Sequence, residues 1–214
     1  MILSEPVTTL TDYAIAAEAL LFAGLLLKSK PKSHLPVLCW AAAFGGVASA
    51  AFCGGTYHGF NLLLPIATQW GLWRGMTYGL SFASGCMLAA AVSELPQWMR
   101  AWGWGAIGLK NGLYLIWTAF NPNFVYIVVD YLSAMLLILL LQVKMNRQGN
   151  QQSSTAWIIA GVVGSLAAAG VQGIGLKGIP YFNQNDLYHL VQMLALYFFY
   201  RGACVIEHTG IAPR

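Results

Sequence analysis

Apolar stretches of membrane-crossing length alternate with short polar breaks along the whole chain. A spanning helix needs roughly 20 mostly apolar residues. Seven stretches meet that length: about Leu10 to Leu27, Leu35 to Tyr57, Ala67 to Val92, Trp102 to Phe120, Phe124 to Val143, Ala156 to Leu176, and a last one within Asn183 to Arg201. The breaks are short. Lys28, Lys30 and Lys32 close the first stretch, Glu94 and Pro96 the third, and Asn121-Pro122-Asn123 is a compact turn signal after the fourth. The longest polar run, Lys144 to Thr155, separates the fifth and sixth, and a loop with Gly178 and Pro180 leads into the seventh. The pattern predicts an all-α, multi-pass membrane protein: one domain over residues 1–214, built as a seven-helix transmembrane bundle.

Composition agrees. Hydrophobic residues make up 58% of the chain and charged residues 8%, against about a quarter charged in a soluble domain. Most of the net charge of +4 sits in loops. Lys28, Lys30, Lys32, Arg100, Lys144, Arg147, Arg201 and Arg214 fall on one side, while the other holds Lys177 and a tail with Glu5. The positive-inside rule therefore puts the N-terminus outside and the C-terminus in the cytosol. The eleven Lys and Arg form no basic face, which excludes a nucleic-acid partner. The N-terminal stretch lacks the basic start of a signal peptide, so the first apolar segment is expected to stay in the mature protein. Four cysteines stand singly, with no CxxC, and read as small core residues. Small residues in the second stretch (Gly45, Gly46, Gly54, Gly55) and in the sixth (Gly161, Gly164, Gly170) predict close helix packing. No internal repeat supports an inverted-repeat transporter.

The chemistry concentrates at the start of the seventh stretch. On a helix, Asn185, Asp186, His189 and Gln192 share one face. Ionisable groups inside a membrane are costly and usually face a protein-lined cavity. By depth, His58, Asp186, His189, Asp130 and Arg74 all fall in the outer half, with Asp12 and Glu18 in the outer half and middle of the first stretch. Lys110 and Asn111 lie mid-span, and the inner half is nearly bare of charge. Two readings stay open. His58 and His189 with a carboxylate such as Asp186 would make an open zinc site, where a bound water could attack an ester or amide. Alternatively the charges form an ion-pair network, for example Glu18 with Lys110 and Arg74 with Asp130.

Seven spans, a histidine at the outer end of the second and a polar, histidine-bearing start to the seventh resemble the superfamily of alkaline ceramidases, adiponectin-type receptors and related seven-helix hydrolases. The resemblance implies a lipid-accessible cavity and amide or ester hydrolysis at a zinc held by three histidines. It maps His58 onto the histidine of the second helix and His189 onto the second histidine of the seventh. Asn185 stands where that pattern has its other histidine, Gly54 stands where it has a serine, and no acid occupies the first turns of the third helix. On this basis His58, His189 and Asp186 are candidate metal ligands, and Asp130 and Asp186 candidate catalytic acids or bases. Asn185, Gln192, Arg74 and Glu18 are candidate substrate contacts. The expected partners are membrane lipid and a lipid-like small molecule. A non-catalytic receptor, transporter or structural subunit that keeps the scaffold is the other function class.

Overall fold

The computed structural model describes residues 3–28, 35–147, 153–174 and 182–209. Lys30, Lys32, Lys177 and Arg214, which carry part of the orientation argument, lie outside them, as do Gly178 and Pro180. The described chain forms seven α-helices: α1 (Pro6–Lys28), α2 (Leu35–Phe60), α3 (Ile66–Ser93), α4 (Gln97–Phe120), α5 (Phe124–Arg147), α6 (Ser153–Ile174) and α7 (Gln184–Thr209). All except α4, which carries Arg100, Lys110 and Asn111, are long and apolar enough to cross a membrane.

Several helices outrun the apolar stretches that predict them. α1 starts at Pro6, where the missing N–H of proline costs nothing, and its first turns carry Thr8 and Thr9, which are buried against neighbouring helices. α4 starts directly after Pro96, five residues before the apolar run. α7 continues through Gly202, where a side chain would meet Ile158 of α6 at 2.8 Å.

The contacts define a ring in the order α1, α2, α3, α5, α6, α7, closed by α7 against α1, with α2 also touching α7. α4 lies outside the ring, on α3 and to a lesser extent α5. Helix directions follow from paired residues. α1 and α7 run parallel at a constant offset of 178 residues, from Thr8–Asp186 and Thr11–His189 to the stacked rings of Phe22 and Tyr200. α3 and α4 run antiparallel: Arg74 meets Ala119, Thr77 meets Tyr114, Ser81 meets Asn111 and Ser84 meets Lys110.

Small residues set the closest approaches. At the α2–α3 crossing, a Cβ on Gly46 would lie 3.0 Å from the Gly79 carbonyl, and one on Gly79 would lie 3.1 Å from the Gly46 carbonyl. Gly161 and Gly164 do the same for α6 against Phe199 and Ala195. Gly45 and Gly170 face open space and have no such role. Towards the C-terminal end of α1 the core is aromatic. Trp40 stacks on Phe199 at 5.2 Å, Phe22 meets Phe44 edge-on at 5.6 Å, and Trp40 and Phe199 are fully buried.

Lys110 ties α4 to the ring. Its ammonium lies 2.7 Å from Asp130 Oδ1 on α5 and donates to Ser84 Oγ on α3 at 3.2 Å and to Asn111 Oδ1 at 3.4 Å. Ser84 donates to Asp130 Oδ2 at 2.9 Å, so both carboxylate oxygens have donors. This replaces the expected pairs. Glu18 cannot reach Lys110 because α1 packs on α2 and α7 and not on α4. Arg74 is exposed and sits about three turns N-terminal of Ser84 on α3, where it donates to the Ala119 carbonyl at 3.4 Å. Removing one partner of a buried ion pair strands the other charge at a cost of about 3–5 kcal/mol. Lys110→Met should therefore lower the melting temperature of the purified protein sharply, and Lys110→Met/Asp130→Leu should recover most of the loss. An unchanged melting temperature in the single variant would contradict this role.

Candidate functional site

The N-terminal ends of α1 and α7 meet through polar side chains from both helices. Thr8, Thr11 and Asp12 recur at offsets of three and four on α1, and Asp186 and His189 recur at three on α7. Parallel packing in register brings the two sets face to face.

His189 lies between two α1 side chains. Its Nδ1 is 2.8 Å from Thr11 Oγ1 and its Nε2 is 3.3 Å from Asp12 Oδ1. Asp12 and His189 are only 6% and 7% exposed, so water does not screen their contact. Asp12 also sits against the glycine pair of α2. A Cβ on Gly55 would lie 2.9 Å from Asp12 Cβ, so glycine there is what lets α1 approach. The second carboxylate oxygen, Asp12 Oδ2, is buried and has no hydrogen-bond partner.

Asp186 has a structural task. Its Oδ2 accepts from the backbone N–H of Asn183 at 2.7 Å, and Asn183 Oδ1 accepts from the backbone N–H groups of Asn185 at 2.7 Å and Asp186 at 3.4 Å. This is a reciprocal cap on the start of α7, where a negative charge also suits the helix dipole. Asp186 Oδ1 accepts from the Thr8 hydroxyl at 2.8 Å, which fastens the cap to α1.

The face expected to carry Asn185, Asp186, His189 and Gln192 divides between two neighbours. Asp186 and His189 address α1. Asn185 and Gln192 address α6, through Gln172 at 2.7 Å and Ser165 at 3.2 Å. His58, at the end of α2, turns its Nδ1 to Glu5, 3.3 Å away, in a half-exposed pair at the mouth. It is close enough to His189 for the two rings to interact electrostatically, but each faces its own carboxylate.

The zinc arrangement does not fit this geometry. Both nitrogens of His189 and both oxygens of Asp186 already have protein partners, and Asn185 Oδ1 accepts from Gln172. Among the described residues, no three His, Cys, Asp or Glu side chains gather closely enough to hold a metal ion. Asp130, expected as a catalytic acid or base, belongs to the Lys110 network. Its side chain turns to Lys110 of α4 and Ser84 of α3, away from His189 and Asp12. Arg74 is exposed on α3, and Glu18 is half-buried on α1 with Oε2 unpartnered. The site also uses residues that the sequence reading left unassigned, namely Asp12, Thr8, Thr11 and Asn183. Their signal was the helical spacing of Thr8, Thr11 and Asp12, polar residues opening an otherwise apolar stretch.

A smaller polar cluster lies at the opposite end. Thr155 on α6 donates to Gln142 Oε1 on α5 at 3.0 Å. Glu94, in the turn after α3, is pushed up to about 7 by burial, with the neighbouring Gln142 pulling it partly back.

Residues 7–208 match a family described as a family of unknown function, DUF6962. The chain belongs to that family. No curated protein and no solved structure matches it.

Proposed function

We propose that this DUF6962 member is a seven-span integral membrane protein with its N-terminus outside and its C-terminus in the cytosol, and that its outer end cleaves an amide or ester bond of a lipid-like substrate without a metal. The span count rests on direction. α1 and α7 run parallel, which an alternating bundle allows only with an odd number of crossings. α4 follows α3 back over four levels of contact and joins its neighbours through breaks of three residues on each side. Its one mid-helix cation is matched by Asp130.

One observation carries the reaction class: His189 lies between a carboxylate and a hydroxyl. In the productive tautomer Nε2–H donates to ionised Asp12, and Nδ1 accepts from the Thr11 hydroxyl. Asp12 then orients the ring and stabilises the imidazolium form, as the acid does in hydroxyl–imidazole–carboxylate triads. His189 takes the proton from Thr11 as its oxygen attacks the carbonyl carbon. It returns that proton to the leaving amine or alcohol as the scissile bond breaks, and a water then releases the acyl group. The resemblance to lipid-hydrolysing seven-helix proteins supports the substrate class.

The same observation supports a second reading. A ring with both nitrogens satisfied, in a cluster so little exposed, also suits a non-catalytic protein that holds a lipid-like molecule. Incubating the purified protein with fluorogenic N-acyl and ester lipids separates the two. Hydrolysis predicts turnover that a chelator leaves intact and that falls by about 10²-fold or more in His189→Gln and Thr11→Val. Retention of intact lipid without turnover contradicts hydrolysis and leaves the binding reading. For topology, tags at the two termini should be accessible from opposite sides of the membrane. Access from the same side would remove the seventh span.

A further inference from the structure

Between Gln184 and Ile206, the exposed positions of α7 are Leu190, Leu194, Tyr197 and Arg201. They recur at offsets of four, three and four, so they form one stripe on the side of the helix that faces away from the bundle. The stripe is apolar for most of its length and ends on a cation. Leu190 and Arg201 lie about 16 Å apart along the axis, at roughly 1.5 Å per residue. That is about half the hydrocarbon thickness of a bilayer, the depth filled by the acyl chains of one leaflet.

Arg201 is fixed in place by its neighbours. Its guanidinium lies over the Trp157 ring of α6, 4.8 Å from the centroid, and Nη1 donates to the Tyr197 hydroxyl at 2.9 Å. Among the described residues no carboxylate pairs with it. Most of the N–H fork is therefore open, and Tyr197, the acceptor in that bond, keeps its own O–H to donate. A planar, weakly hydrated fork held in one orientation matches phosphate oxygens two at a time. Exposed Lys28 and Lys144 lie in the last turns of α1, which runs parallel to α7, and of α5, which leads into the start of α6 where Trp157 sits. Net negative charge is thus favoured over a zwitterion at this end. We propose that Arg201, Trp157 and Tyr197 bind the phosphate of an anionic phospholipid, one acyl chain of which lies along Leu194 and Leu190. The apolar stripe commits the site to a lipid, since a free phosphate would meet only the polar end. Arg201 lies about 18 Å along α7 from His189, so the site stands apart from the proposed hydrolysis and is read without an activity assay.

The test is native mass spectrometry of the purified full-length protein in neutral detergent, titrated with phosphatidylglycerol or with phosphatidylcholine of the same chains. The site predicts a phosphatidylglycerol held at least about five-fold more tightly than phosphatidylcholine. Arg201→Gln should erase that preference. Trp157→Leu, which removes the ring beneath the guanidinium, should weaken phosphatidylglycerol about three-fold. Lys144→Gln should leave the preference intact. Equal retention of the two lipids, or a preference that survives Arg201→Gln, would overturn the site. An equal loss in Lys144→Gln would also overturn it, by showing diffuse attraction to the charged end of the bundle. Inorganic phosphate in large excess should not displace the lipid, and displacement would overturn the lipid assignment in favour of a free phosphate.

Discussion

The packing of α1 against α7 depends on the contact between Asp12 and His189. Each is an ionisable group on a helix of membrane-crossing length, and each is too buried for water to stabilise its charge. Left alone, either would be a liability of several kcal/mol. Together, with Thr11 at the other ring nitrogen, they hold α1 parallel to α7 and close the ring of helices. The α7 cap adds a second fastening one turn nearer the start of both helices, where Asp186 receives the Thr8 hydroxyl while satisfying the start of its own helix. Gly55 completes the arrangement by letting α1 approach α2 at the depth of Asp12.

The same rule operates on the far side with different residues. Lys110 on the peripheral helix α4 finds Asp130 and Ser84, so a cation that would otherwise weaken the helix fixes its position. Nearer the C-terminal ends of α1 and α7 lies the packed aromatic group of Trp40, Phe44, Phe22 and Phe199. A smaller polar cluster, with Thr155, Gln142 and Glu94, lies beyond the aromatic group at the other end.

The scaffold was legible in the sequence because lipid imposes a long-wavelength signal: runs of some 20 apolar residues broken by short polar turns. The tight-packing role of Gly46, Gly161 and Gly164 was legible for a related reason, since glycine has few other uses inside such helices. Partner choice was not legible. Depth alone placed Asp130 and Arg74 in the same half of the bundle. Which carboxylate meets which cation depends on neighbour order around the ring, and periodicity does not encode that order. Asp186 illustrates the limit. Its position suggested a site, and the three-residue spacing from Asn183 that decides for a cap matters only once Asn183 is known to start the helix. Asp12 is the converse case. Its charge was visible, but its importance depends on His189, 177 residues further along the chain.

The most direct test of the central claim is a double-mutant cycle on Asp12→Asn and His189→Gln, read as unfolding free energies of the purified protein. Direct contact in a buried site predicts a coupling energy of at least about 1 kcal/mol between the two changes. Losses that simply add, to within about 0.5 kcal/mol, would mean that the two side chains do not answer each other and that α1 and α7 are held by other means.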